Sequence, residues 1–302
     1  MKKIITLLAL VSFGAMCHAQ KKKDKAPTDW GTYDYSKTFS YKNGGGKKDI
    51  SKLKRVYIAD FVVNQVITAV GKQTGSTNFA KMTVGLSGID ASAYQQMVGE
   101  LYQQAVEQLK AEGYEVLTDE EVANNKFLAD DKGKDGGLFV NYIDDKLYPY
   151  KELNNEVVSI RPLGKFAVRN SKVTAGIWYN KFCKAIDAHA VSIALNVNFM
   201  VFDGSRLGGA RIEGTPVIDA VALMMWNNAN GGMWVFPGDH MYGNNTWAKS
   251  GINETNSSTT IFGAVKSAYV VEASQPEYLA EIKGILGGVT KTFIKTMINE
   301  GK

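Results

Sequence analysis

Val191-Ser-Ile-Ala-Leu-Asn-Val-Asn-Phe-Met-Val-Phe202 is the stretch that decides the fold class. Ile193, Leu195, Val197, Phe199 and Val201 alternate with smaller or polar residues. A period of two puts them on one face of a strand, and that face must be buried. The preceding residues, 171–190, read as a helix that is apolar around much of its surface and therefore enclosed. Cys183 lies within it and reads as a small buried hydrophobe. Asp203-Gly204 is a hairpin-turn signal, with a return strand expected over 206–213. More β structure is expected at 216–226, 233–236 and 259–273. No pair of long alternating barrel strands stands out.

Toward the N-terminus, Arg55-Val-Tyr-Ile-Ala-Asp-Phe-Val-Val63 is apolar and β-branched, a second buried strand that residues 67–72 extend or pair with. Residues 90–112 carry Tyr94, Met97, Val98, Leu101, Tyr102, Ala105, Val106 and Leu109 at three- and four-residue spacing, which predicts an amphipathic helix. Gly113 closes it, residues 114–117 form a short strand, and Thr118-Asp-Glu-Glu121 has capping-box spacing for a short helix. Ser274-Gln-Pro-Glu277 is a second such box. Behind it Tyr278, Ile282, Ile285, Leu286, Val289, Phe293, Met297 and Ile298 predict a closing helix. The order is β–α–β, irregular, α–β–β, more β, then α. It predicts one α/β layered domain over 54–302, a mixed sheet with helices on its faces, with α+β as the neighbouring class.

The N-terminus reads as targeting sequence. Lys2 and Lys3 precede an apolar run from Ile4 to Met16, then Cys17-His18-Ala19. A basic start, an apolar core too short to span a bilayer and a small-residue exit describe a secretory signal peptide, residues 1–19. Cleavage after Ala19 fits better than acylation of Cys17, because Met16 stands where a lipobox has a small residue. No later segment is apolar enough for a transmembrane helix, so the chain is expected to be exported, periplasmic or outer-membrane associated.

The 302-residue chain carries a formal +5, and the location of that charge matters more than its size. Residues 20–55 hold eleven Lys and Arg against four Asp, a net +7, while 56–302 are net −4. The basic balance belongs to a leader, residues 20–53, read as flexible and solvated, with an anionic lipid or polysaccharide surface as its natural partner. Export argues against nucleic acid.

Motifs for chemistry are few. GxGxxG, GxxxxGK[ST], GxSxG, HExxH and CxxC are absent, and no cofactor or metal is expected. Asp130-Asp131-Lys-Gly-Lys-Asp135-Gly136-Gly137 faintly resembles a calcium loop, but Tyr142 stands where the bidentate Glu belongs, so a plain turn is expected. His189 reads as a packed or capping histidine. The densest unusual stretch runs from 226 to 247 and holds three of the five Trp among many Asn and Gly. Trp226, Trp234, Phe236, His240, Tyr242 and Trp247 are the candidate binding residues: flat aromatics beside amides suit sugar stacking or a protein contact. The plainer alternative is a hairpin whose Trp residues cover the edge of the core.

Lys54-Arg-Val-Tyr-Ile-Ala-Asp-Phe61, a long helix, Glu112-Gly-Tyr-Glu-Val-Leu117, a second helix running into Val191-Ser-Ile-Ala-Leu-Asn-Val-Asn198, and a terminal helix form an order of elements that resembles the periplasmic α/β domain of the CsgG-like curli secretion family. The resemblance implies a cell-envelope assembly or transport-accessory role and transfers no catalytic residue. The favoured reading is an exported, non-enzymatic envelope binding or assembly protein, for which a homo-oligomer is compatible. The alternative is a secreted hydrolase or carbohydrate-binding protein using residues 226–247.

Overall fold

The two apolar stretches that frame the sequence become long neighbouring strands in the computed structural model. The structure describes residues 30, 32–35, 42–43, 47–74, 79–125, 138–140, 155–165, 175–205, 211–230, 233–237, 240–255, 258–260, 263–265 and 269–301. In chain order the elements begin with β1 (Lys42–Asn43), α1 (Lys47–Lys52), β2 (Arg55–Thr74), β3 (Phe79–Ser87), α2 (Ala91–Ala111), β4 (Glu115–Val116), α3 (Asp119–Val122), β5 (Leu138–Val140) and β6 (Glu156–Ile160). They continue with α4 (Ala175–Ile186), β7 (His189–Ser205), β8 (Arg211–Asn227), β9 (Met233–Pro237), β10 (Met241–Tyr242), β11 (Asn253–Glu254), β12 (Ser258–Thr260), β13 (Gly263–Val265), β14 (Tyr269–Glu272) and α5 (Gln275–Glu300). This is a single α/β domain whose mixed sheet curls into a half-barrel.

The main path of the sheet runs β1-β9-β8-β7-β2-β3-β14-β11. At its centre β2 and β7 are parallel, from Val56 opposite His189 to Gln65 opposite Val197. Along its other edge β2 meets β4 in parallel, then β6 and β3 antiparallel. A register irregularity at Ile58/Asp60 lets two β2 residues answer one β7 residue. It keeps Val56, Ile58, Phe61 and Val63 in one core and sends Tyr57 and Ala59 into another. The first core lies under α2 and α5. The second gathers Leu117 and Val122 with Phe182 and Cys183 of α4.

Several local rules hold. Thr118 accepts the Glu121 backbone N–H while the Glu121 side chain accepts the Thr118 N–H, a complete capping box. Gly113 adopts φ +83°, the left-handed turn that ends α2. α4 stops earlier than the sequence predicts. Asp187 takes φ 47°, and His189 and Ala190 already belong to β7.

Other expectations are corrected. Asp203 and Gly204 form no turn: they pair with Glu213 and Ile212 inside the β7–β8 ladder, which continues to Ser205 opposite Arg211. Of the strand expected over 206–213, residues 206–210 lie outside the described residues, and 211–213 are continuous with 216–226 in one strand, β8. Pro216 lacks an N–H, and it sits where the β7–β8 register shifts. β2 spans 20 residues and β7 and β8 span 17 each, so long strands are present after all. The region 259–273 holds three short strands. Ser274 starts α5 but makes no side-chain cap bond; Gln275 instead accepts the Asp90 backbone N–H at 2.6 Å.

The leader expectation changes most. Trp30 and Tyr35 are buried against α5, and Ile50 of α1 is fully enclosed. A Cβ built at Gly288 would stand 2.2 Å from the Tyr35 ring, at Gly284 3.1 Å from Trp30 and at Gly301 2.8 Å from Ile50. The C-terminal helix and its cap are therefore glycine at the points where the N-terminal segment packs. The described part of 20–53 belongs to the domain. The signal-peptide residues, Cys17 and the acidic 130–137 stretch lie outside the described residues.

Buried phenols make the fold sensitive to alkali. Burial raises Tyr57, Tyr94 and Tyr278 well above the ordinary range, and pushes Tyr102 and Tyr114 up to about 12. A phenol whose folded pKa is raised stabilises the fold below its unfolded value of about 10 and loses that contribution as pH climbs through the folded value. An alkaline titration followed by tyrosinate absorbance and far-UV circular dichroism should show a fraction of the 14 Tyr ionising only as the dichroism collapses above pH ~10. One smooth ionisation near pH ~10 with the dichroism intact would contradict this packing.

Candidate functional site

The six candidate binding residues divide sharply. Trp226 and Trp247 are fully buried. Trp226, on β8, packs against Tyr114, His189 and Phe293, with ring centroids 5.8, 5.6 and 6.4 Å away. Trp247 meets Tyr278 of α5 edge-on at 4.9 Å, and its indole N–H donates to the Asn244 carbonyl at 2.9 Å. Neither indole can stack on an external ligand, so both leave the binding set. Trp234 and Phe236 lie on β9, opposite Trp226 and Met224 of β8, and their side chains are outside the described residues. His240 and Tyr242 remain at the surface.

That remnant has definite geometry. β10 lays Met241 and Tyr242 against Ala220 and Asp219 of β8. His240 Nδ1 lies 2.7 Å from Asp219 Oδ1, with the imidazole 43% and the carboxylate 8% exposed. The Tyr242 ring stacks on the imidazole at 5.9 Å, 11° from parallel. The loop behind is locked to α5: Glu281 accepts the Asn244 backbone N–H and its side-chain amide, each at 2.9 Å. A buried carboxylate orienting a half-exposed imidazole is two-thirds of a nucleophilic constellation, and the third member would be a hydroxyl or thiol. Cys183 is not that member. It is buried under α4, its Sγ points at the Asn227 carbonyl 3.6 Å away, and burial pushes its pKa up to about 12.

A second cluster lies on the α3–α4 side of the sheet. Tyr57 of β2 donates its hydroxyl to Asp119 Oδ1 at 2.9 Å. The Lys165 ammonium donates to the same oxygen and rests 4.1 Å above the Tyr57 ring. Four residues earlier, Arg161 pairs with Asp60 at 3.0 Å. The Lys165 side chain is 4% exposed, and burial lowers its pKa against the opposing pull of Asp119. Farther along β2, Ser159 donates to Asn64 at 2.6 Å and Asn64 to Asn196 at 2.8 Å. These buried polar groups tie the turn at 161–165, β6 and β7 to one strand. They specify register more than chemistry.

Sequence reading missed this cluster because 46 residues separate Lys165 from Asp119 and 62 separate Tyr57 from Asp119. The usable signal was the Thr118 capping box, which places Asp119 at a helix start. Among the described residues, no group of three or more His, Cys, Asp or Glu could hold a metal ion. No described helix is long and apolar enough to cross a membrane. No known protein family, curated protein or solved structure matches the chain.

The Lys165 pair has a direct test. Lys165→Met leaves a buried carboxylate short of its cation and should cost about 3–5 kcal/mol in chemical denaturation. Lys165→Met with Asp119→Leu removes both charges and should recover most of that loss. A single-variant cost below ~1 kcal/mol would mean that the pair behaves as a surface contact.

Proposed function

We propose that the protein is an exported, non-enzymatic component of a Gram-negative cell envelope that binds an envelope protein or anionic surface and serves assembly there. The observation that supports this reading best is a pair of hairpins that outrun their helical cover. The main apolar core reaches Ala69 on β2, stops at Met200 on β7 and resumes at Ile218 on β8. Beyond it Gly71–Thr74 still pair with Phe79–Met82, and Val201–Ser205 with Arg211–Thr215. Phe202 packs on Gly71, where a Cβ would come within 2.6 Å of its ring, so the two hairpins touch. Val201, Phe202, Ile212 and Val217 are only half-buried. Strand extensions with half-buried apolar residues suit docking against another protein. The secretory N-terminus and the resemblance to the CsgG-like family point the same way.

The His240–Asp219 pair favours a second reading, a secreted hydrolase or carbohydrate-binding protein, now carried by His240 and Tyr242 alone.

Expression with the native N-terminus in a Gram-negative host tests the first reading. The chain should be recovered in the envelope fraction with Gln20 as its N-terminal residue. Unprocessed chain in the cytosol would overturn it. Ester or glycoside hydrolysis that disappears in His240→Ala while folding is retained would transfer the assignment to the second reading.

A further inference from the structure

α2 and α5 lie side by side without closing the space between them. The Lys283 ammonium donates to Glu100 at 2.5 Å. Beyond that pair a half-open groove of about 380 Å³ follows the two helices. That volume is within the range of small-molecule sites. The floor is Leu101 and Ala105 of α2 with Thr290 and Ile294 of α5, all buried. Gln104, Glu107 and Lys291 stand exposed on the rim.

Two features set this groove apart from ordinary helix packing. The first is Gly287. Gly284 and Gly288 leave room for Trp30 and Tyr35, but a Cβ at Gly287 would meet Gln104 Oε1 at 3.4 Å and Leu101 Cδ2 at 3.6 Å, ordinary contact distances. Packing does not require glycine there, and glycine inside a helix gives up propensity. Its missing side chain deepens the groove. The second is Thr290. It lines the groove, it is 4% exposed, and its hydroxyl has no hydrogen-bond partner among the described residues. A buried hydroxyl without a partner is unfavourable, and a guest that supplies one removes that penalty.

The lining also selects the guest. It holds one carboxylate, Glu107 on the α2 wall, and one ammonium, Lys291 on the α5 wall. Neither makes an ion pair or side-chain hydrogen bond among the described residues. One charge of each sign suits a guest that carries one of each, whereas a polyanion would meet Glu107 with a single cation to balance it. Gln104 offers an amide, and Gln108, which donates to Glu112 at 3.2 Å, leaves its side-chain carbonyl for a guest. Among the described residues no aromatic ring lines the groove, so a sugar has no stacking platform. Leu101, Ala105 and Ile294 suit a small aliphatic group. We propose that the α2–α5 groove binds a small zwitterion, an amino acid or dipeptide with an aliphatic side chain. Its carboxylate lies at Lys291, its ammonium at Glu107 and a polar atom at the Thr290 hydroxyl. This site goes beyond the envelope reading above and does not depend on it.

Isothermal titration calorimetry of the purified protein with leucine and with alanyl-leucine tests the site, and the two arms separate a free amino acid from a peptide. Saturable binding of at least one is expected. N-acetyl-leucine amide, which carries neither charge, and glucose should bind at least about tenfold more weakly. Lys291→Gln and Glu107→Gln should each weaken the binding about tenfold with the circular dichroism unchanged. Thr290→Val keeps the shape and removes the hydroxyl, so it should weaken binding while the thermal midpoint of the unliganded protein holds or rises. Gly287→Leu, whose side chain has room to grow into the groove, should abolish binding. Full binding by Lys291→Gln and by folded Gly287→Leu would place the guest elsewhere and overturn the site. Equal binding of the neutral amide or of glucose would overturn the zwitterion assignment. Absence of binding by both leucine and alanyl-leucine at millimolar concentration would overturn the inference while leaving the envelope reading standing.

Discussion

The parallel pairing of β2 with β7 is the constraint on which the rest of the structure depends. Two parallel neighbours cannot be joined by a tight turn, so the chain between them must cross over the sheet. Both faces of such a pair are buried, and both need cover. α2 and α5 supply it over Val56, Ile58, Phe61, Val191, Ile193 and Leu195. α3 and α4 supply it over Tyr57, Ala59 and Ala190. The irregularity at Ile58/Asp60 shifts the alternation by one residue, so that Phe61 and Val63 return to the face of Val56 and Ile58. The cluster around Asp119 lies on the second of these faces, where Tyr57 meets both Phe182 of α4 and Asp119 of α3.

A second constraint sits on α5. A helix of 26 residues with glycine at 284, 287 and 288 gives up helical propensity. Gly284 and Gly288, with the cap Gly301, make room for Trp30, Tyr35 and Ile50. Trp30, Tyr35 and α1 are thereby closed onto the C-terminal helix.

Much of this was legible where a local pattern carries the information. The alternation from Ile193 to Val201, the helical spacing from Tyr94 to Leu109 and the Thr118 box all describe their own neighbourhoods, and folding leaves them intact. Asp203-Gly204 misled because a turn-prone dipeptide yields to a ladder that continues on both sides of it. The strand that begins at 211 runs straight through Pro216, and the register shift that tolerates a proline there has no local mark in the sequence. Trp226 and Trp247 stood out as surface aromatics among Asn and Gly. Their enclosure depends on α5, which arrives about thirty to fifty residues later. Trp30 and Tyr35 were hidden by the lysines around them, and the glycines that receive them lie some 250 residues away. Contacts of that range leave no periodicity to read.

The central claim is that Trp30, Tyr35 and α1 are part of the folded domain and are held by α5. Hydrogen–deuterium exchange of the purified protein, read by mass spectrometry, tests it most directly. The ladder at 56–65 and 190–197 should exchange slowest, and peptides covering α1 should be protected together with the C-terminal half of α5. Gly288→Leu, which denies Tyr35 its place, should speed exchange in the peptide spanning residues 30–35 while the central ladder stays slow. Exchange of residues 30–35 and 47–52 at unstructured rates in the unaltered protein, with α5 protected, would contradict the account.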